Sequence, residues 1–130
     1  MSFSFTICKF GPEETVVKLS SDVVTALIGD YSLEPTDTPD SYIFHDGNET
    51  SEVDVLRGGM SLDFPRPLAS DRMTQLLFDA LSRTGATLFS SSFEGVLTTN
   101  PAQSEYVPGS LQPTTVIERW QDIDAYLAEQ

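Results

Sequence analysis

Hydrophobic and polar residues alternate at the start of the chain, in residues 3–8 and again in 15–19. Gly11 and Pro12 lie between these two runs. A period of two predicts half-buried strands, and a Gly-Pro step predicts a turn. We therefore expect a β-hairpin over residues 3–19.

A short helix is expected next, over Asp22–Ile28. Ser20 and Ser21 supply capping hydroxyls before it, and Gly29 supplies an end signal after it. The following stretch, Asp30–Asp40, contains two prolines and four acidic residues, which is typical of a surface loop.

Three alternating runs follow within residues 41–64. Two turn signals separate them, Asp46-Gly47-Asn48 and Gly58-Gly59. This arrangement predicts a three-stranded antiparallel meander. Its middle strand, around Val53, has an acidic outer face.

The strongest helical signal in the chain is Ser70–Gly85. Ser70 is a good N-cap, Arg83 suits the negative end of a helix, and Gly85 suits a left-handed stop. The apolar residues between them fall on one face at helical spacing: Met73, Leu76, Leu77, Ala80 and Leu81. Phe78 falls on the polar side of this helix, which indicates either a contact with a partner or packing under a loop.

The last third predicts strands over residues 87–89 and 93–97, then a long loop, Asn100–Pro113, rich in proline. Helical spacing of apolar residues, including Trp120, then predicts a closing helix over Val116–Ala128.

Thr115 and Glu118 have the spacing of a capping box for that closing helix. The alternative is a strand through Val116-Ile117 with the helix starting near Gln121. Together the segments predict one α+β domain over residues 1–130. Its antiparallel sheet is packed by two amphipathic helices and one short helix.

The excess of acidic residues is the feature of the composition that bears most on function. The chain has 20 acidic and 7 basic residues, a net charge of −13. Such a surface repels nucleic acid and anionic membranes and attracts basic proteins. No lysine or arginine occurs between Lys18 and Arg57, where nine acidic residues lie. They are Asp22, Asp30, Glu34, Asp37, Asp40, Asp46, Glu49, Glu52 and Asp54.

Residues for metal or nucleophilic chemistry are few. One histidine and one cysteine exclude a closed zinc site, and Cys8 lies in a strand pattern that predicts a buried thiol. Residues 46–57 resemble a calcium loop only loosely, because Ser51 replaces the required glycine. We expect no metal and no cofactor. The lack of a signal peptide pattern or a long apolar run leads us to expect a cytoplasmic protein.

Two other functions remain open. One is a small enzyme that uses His45, the only imidazole, with nearby carboxylates. The other is a scaffold subunit that self-associates; the sequence does not give the oligomeric state.

The leading expectation is a non-catalytic module that binds a basic protein. In size, α+β pattern and acidity the chain resembles the small acidic immunity proteins that bacteria pair with toxins. The resemblance implies a protein that occludes its toxin or effector, with carboxylates facing the partner's lysines and arginines. The residues that we expect at the partner surface are Asp37, Asp40, Asp46, Glu49, Glu52, Asp54, Phe78 and Tyr106.

Overall fold

Nine strands and three helices make up residues 4–129, the part of the chain that the computed structural model describes. The strands are β1 Phe5–Gly11, β2 Thr15–Val17, β3 Glu34–Pro35, β4 Ser41–Asp46, β5 Glu49–Leu56, β6 Ser61–Phe64, β7 Thr87–Phe89, β8 Val96–Thr98 and β9 Thr114–Val116. The helices are α1 Ser21–Asp30, α2 Asp71–Thr84 and α3 Gln121–Ala128. The predicted α+β class is confirmed.

One open sheet contains these strands, in the order β3-β4-β5-β6-β1-β7-β8-β9. Strand β2 pairs with the far end of β1, off this path. The expected antiparallel sheet is confirmed for every pair but one, because β8 and β9 run parallel. A parallel pair needs a long connection, and residues 99–113 provide it.

The N-terminal hairpin is confirmed, but its second strand is shorter than expected. Strand β2 ends at Val17, and the backbone N–H of Leu19 instead donates to the carbonyl of Gly59 at 2.9 Å. Leu19 is nevertheless buried. Phe3, which the alternation assigned to the first strand, lies outside the described residues.

The meander β4-β5-β6 is confirmed, with both predicted turns. Gly47, Gly58 and Gly59 have positive φ angles of 64°, 68° and 100°. Such angles are accessible to glycine without steric strain. The turns fix a register in which Tyr42 pairs with Val53, and Val55 pairs with Leu62.

Helix α2 has the expected ends. The Ser70 hydroxyl accepts a hydrogen bond from the N–H of Met73 at 3.2 Å, and Gly85 is left-handed with a φ of 72°. The apolar face is buried as expected. Phe78, on the polar side of this helix, is half-buried and packs against the main core.

The segment around α1 differs in two ways from the expectation. The helix begins after the Ser20 cap but continues through Gly29 to Asp30. The expected loop Asp30–Asp40 contains the short strand β3 and buries Tyr31 and Leu33. The hydroxyl of Tyr31 donates to Asp79 of α2, which anchors the segment to the helix layer.

The expected helix from Val116 is wrong, and the alternative is correct. Val116 ends β9, and the N–H of Ile117 still donates to Thr98 of the sheet at 2.8 Å. The capping box of Thr115 and Glu118 therefore does not form. The Asp122 carboxylate accepts from the backbone N–H of Glu118 at 3.0 Å and from that of Arg119 at 3.1 Å, just before α3 begins.

Two side chains of the C-terminal third lie outside the elements expected for them. Trp120 stands at the start of α3 and is half-buried, outside the core. Phe93 precedes β8 and packs against the main core from the preceding turn.

The long loop has more structure than its composition predicts. It contains two short 3-10 turns, Pro101–Glu105 and Gly109–Leu111. Gln103, within the first of these turns, is buried, and its side chain pairs with the backbone of Phe10. The amide donates to the Phe10 carbonyl at 2.9 Å and accepts from the Phe10 N–H at 2.9 Å. A side chain thus takes the place of a strand beside the end of β1.

Apolar residues gather on both sides of the sheet. The main core lies between the sheet and the helices and includes Phe44, Phe64 and Leu81. The opposite side, which we call the outer face, carries a smaller cluster of Cys8, Phe10, Val96 and Val107. The residues 100–113 cover this smaller cluster and leave the outer face of β3–β6 open.

Candidate functional site

Four carboxylates lie on the open part of the outer face, and we call them the acidic face: Glu34, Glu52, Asp54 and Asp63. The strand register brings them together. Glu34 and Glu52 both pair with Ile43 across β3-β4-β5, and Asp54 pairs directly with Asp63 across β5-β6. Glu52 and Asp54 are two residues apart on β5, so they share a face.

Repulsion between these groups alters their protonation. A hydrogen bond shared with Asp54 raises the pKa of Glu52, and the negative charge of Asp54 raises it further. Like charges next to each other on a sheet are destabilising. The acidic face is therefore held together by the strands and not by attraction among its side chains.

Asp63 lies deepest in the acidic face. Burial raises the pKa of its carboxyl group, and the charge of Asp54 raises it as well, while the Thr6 hydroxyl and Arg57 lower it. One of its oxygens, Oδ1, is buried and has no hydrogen-bond partner within residues 4–129. A positive charge placed beside such a buried carboxyl group would stabilise its ionised form.

Within residues 4–129 no lysine or arginine forms an ion pair with the acidic face, although the charge of Arg57 is close enough to lower the pKa of Asp63. The strands β3–β6 contain no lysine or arginine. Within the described residues no lysine or arginine nitrogen lies within 4.0 Å of these four carboxylates. His45 comes near, with Nε2 at 3.7 Å from Glu34, an ion pair when the imidazole is protonated.

A groove adjoins the acidic face at Asp63, and we call it the apolar groove. It has a volume of about 360 Å³. Seven residues with apolar side chains or a thiol line it: Cys8, Phe10, Val16, Leu56, Met60, Phe89 and Leu111. Four polar or charged residues complete the lining: Thr6, Arg57, Ser61 and Asp63.

Exposure sets this groove apart from an ordinary cavity. Val16 is 38% exposed and Leu56 is 39% exposed, and they are two of the four large apolar residues that the described chain leaves in solvent. Exposed apolar residues grouped around a concavity mark binding sites more often than scattered ones do.

Cys8 contributes a buried thiol to the lining of the groove. Burial raises the pKa of its thiol to about 11. The thiolate, which is the reactive form, is therefore scarce at neutral pH.

The acidic residues expected at the partner surface are only partly brought together. Glu52 and Asp54 lie on the acidic face, as the alternation of β5 indicated. Asp46 and Glu49 pair with each other at the tip of the β4-β5 hairpin. The remaining two, Asp37 and Asp40, are exposed in the turn before β4, at the other end of that hairpin.

The two expected aromatic contacts lie on opposite layers. Tyr106 is half-buried beside the smaller apolar cluster of the outer face. Phe78 belongs to helix α2 and packs on the main core, on the side of the sheet away from the acidic face. Contact with a partner stays a prediction for both.

His45 lies in the open and not in a cleft. Its side chain is 47% exposed, and it lines none of five cavities found within residues 4–129. Among those residues no three or more His, Cys, Asp or Glu side chains are grouped to hold a metal ion. The enzymatic hypothesis stays a prediction without a defined pocket at its central residue.

The sequence analysis did not place Glu34 or Asp63 at the partner surface, and it did not predict the apolar groove. A signal for Asp63 was present: a hairpin that turns at Gly58-Gly59 places Asp54 and Asp63 opposite each other. The groove had no comparable signal, because its walls come from β1, β2, the β5-β6 turn and residues 89 and 111.

The comparisons with known proteins add no relative. The chain matches no protein-family model, no curated protein and no solved structure. Within the described residues, no helix has both the length and the apolar character that crossing a membrane would take. The geometry of the outer face therefore carries the functional interpretation alone.

Proposed function

We propose that the protein is a non-catalytic module that binds a basic protein through the outer face of its sheet. The observation that carries this is the grouping of Glu52, Asp54 and Asp63 on adjacent strands, with no lysine or arginine of the described residues in an ion pair with them. Such a grouping lowers the stability of the free protein. A partner's lysines and arginines would relieve the repulsion when they bind.

The apolar groove supports the same function. Protein interfaces commonly combine an apolar centre, which supplies most of the affinity, with a charged rim, which steers approach. Here the groove meets the acidic face at Asp63, so one partner surface could cover both.

The role we propose is that of an immunity protein. In size, acidity and fold class the chain resembles the small proteins with which bacteria neutralise their toxins or effectors. Such proteins occlude the active site or the substrate approach of the toxin, and the resemblance implies a basic surface there that carboxylates can pair with. Occupation of that basic surface by the acidic face would block the approach of the substrate.

A capture experiment with matched variants tests this proposal. The immobilised chain is exposed to lysate of its native host, and bound proteins are eluted with rising salt. The face variant Glu34→Gln/Glu52→Gln/Asp54→Asn removes three charges from the acidic face. The control Asp22→Asn/Asp71→Asn/Glu129→Gln removes three charges from exposed positions on or beside the helices.

We expect a basic protein to be captured by the native chain and by the control, and to elute at moderate salt. The face variant should retain it at least about tenfold less well, since several close ion pairs are lost. Equal retention by the face variant and the native chain would refute the proposal. Equal loss from both variants would also refute it, because net charge and not the acidic face would then be responsible.

A further inference from the structure

The apolar groove has a chemical character that narrows what it can bind, given that the outer face is the binding surface. Its walls are apolar, from Phe10, Leu56, Met60 and Phe89. The carboxylate of Asp63 lies in the same lining, with Oδ1 unpaired within the described residues. A wholly apolar occupant would desolvate this carboxylate further and give it no ion-pair partner, which is unfavourable.

Lysine and arginine side chains fit both parts of this lining. Each has an aliphatic stem that packs on apolar surface and a cationic end that pairs with a carboxylate. We propose that the apolar groove receives one lysine or arginine side chain of the basic partner, with its stem against the groove walls and its charge at Asp63. This inference rests on the proposed function and names the anchor residue of the partner.

Arg57 is a positively charged residue of the same groove and should oppose the binding of a cation. It lies in the turn after β5 and also lines the groove, but it makes no ion pair within 4.0 Å with a described carboxylate. Its positive charge is close enough to lower the pKa of Asp63. An incoming cation would therefore be repelled by Arg57 and attracted by Asp63, and the two residues should have opposite effects on binding.

Short peptides test the groove without the partner. The probes are acetyl-Gly-Arg-Gly-amide, its lysine analogue and its citrulline analogue, which has the shape of arginine without the charge. Each is titrated into the full chain, and backbone amide shifts are followed by NMR. Because a single side chain binds weakly, concentrations up to about 10 mM are needed.

We expect the arginine and lysine peptides to shift the amides of Thr6, Cys8, Ser61 and Asp63. The citrulline peptide should bind at least about tenfold more weakly, a difference of about 1.4 kcal/mol. Asp63→Asn should weaken the arginine peptide by a similar factor, and Arg57→Gln should strengthen it. Glu34→Gln, on the acidic face but outside the groove lining, should leave the affinity at the groove within about twofold.

A second pair of variants, both at Leu56, tests the groove even if Asp63→Asn folds poorly. Leu56→Lys places a cation at the exposed mouth of the groove and should block the arginine peptide, whereas Leu56→Gln should reduce binding only slightly. Equal binding of the arginine and citrulline peptides would overturn the inference. So would an absence of shifts at the groove at the highest peptide concentration.

The partner separates this inference from the proposed function. If capture from lysate is lost in the face variant but is unchanged by Leu56→Lys and Asp63→Asn, the groove is not the anchor site and the acidic face still binds. If capture is unchanged by all of these substitutions, both proposals fail.

Discussion

Asp63 has opposite effects on folding and on the proposed binding. Burial favours its protonated form in the folded protein, so the pKa of its carboxyl is higher in the folded than in the unfolded chain. Between the pKa of Asp63 in the unfolded chain and its pKa in the folded chain, the folded state therefore binds more protons than the unfolded state does. The stability of the folded protein therefore falls as pH rises. It is greatest below the unfolded-state pKa of Asp63 and least above the folded-state pKa.

Replacing Asp63 should therefore stabilise the free protein. We expect Asp63→Asn to raise the free energy of unfolding at neutral pH by up to about 1 kcal/mol, because an unpaired, partly buried charge is removed. Urea unfolding at several pH values measures this. The difference from the native chain should shrink as pH falls below the ordinary pKa of aspartate.

The matched comparison for that experiment is Asp22→Asn. Asp22 lies in the first turn of α1, where a negative charge suits the helix dipole, so its loss should be slightly destabilising. A native chain more stable at neutral pH than Asp63→Asn would show that Asp63 has a stabilising partner after all.

Residues 100–113 attach to the sheet, although their composition is typical of a loop. The side-chain amide of Gln103 satisfies both the N–H and the carbonyl of Phe10, which β7 does not reach. Gln103 is 1% exposed, so water cannot replace it easily. The second apolar cluster of the outer face depends on this attachment.

We expect Gln103→Ala to lower the free energy of unfolding by roughly 2–4 kcal/mol, since two buried backbone groups lose their partners. Thermal or urea unfolding gives the value. The control is Gln112→Ala in the same loop: its amide donates to the carbonyls of Ser104 and Val107, but the residue is exposed. A similar effect for both variants would contradict the assigned role of Gln103.

Local signals were sufficient for the elements that depend on neighbouring residues. The caps of α2, the two turns of the meander and the N-terminal hairpin follow from glycine, serine and alternation. The start of α3 did not, because the apolar spacing around Trp120 fits a longer helix equally well. Pairing of β9 with the distant strand β8 decides that segment, and a single sequence does not reveal such pairing.

The same limit applies to the candidate site at the scale of the whole molecule. The acidity of residues 30–54 was evident, but it divides among the acidic face, the tip of the β4-β5 hairpin and the turn before β4. Which carboxylates meet depends on register, and the apolar groove depends on strands far apart in the chain. Composition thus predicted that the surface is negative, but not which carboxylates lie together on it.

Net charge has its own consequence for the whole molecule. A charge of −13 on 130 residues opposes compaction, and salt screens this repulsion. We therefore expect the melting temperature to rise as sodium chloride is increased from low ionic strength to about 0.5 M. Differential scanning fluorimetry checks this.

The acidic face should account for a clear share of that salt effect. In the variant Glu52→Gln/Asp54→Asn the rise should be smaller than in the native chain, because two adjacent repelling groups are neutral. A melting temperature that stays constant or falls with salt would indicate that the ion pairs, such as Arg83 with Asp30, outweigh the repulsion.

The burial of Cys8 also makes the molecule convenient for site-selective labelling. The chain has a single cysteine, and its thiol is both shielded and protonated at neutral pH. A cysteine introduced at Asn48, on the exposed hairpin tip, would react with a maleimide dye while Cys8 stays unmodified. A fluorophore could thus be attached without first removing the native sulfur.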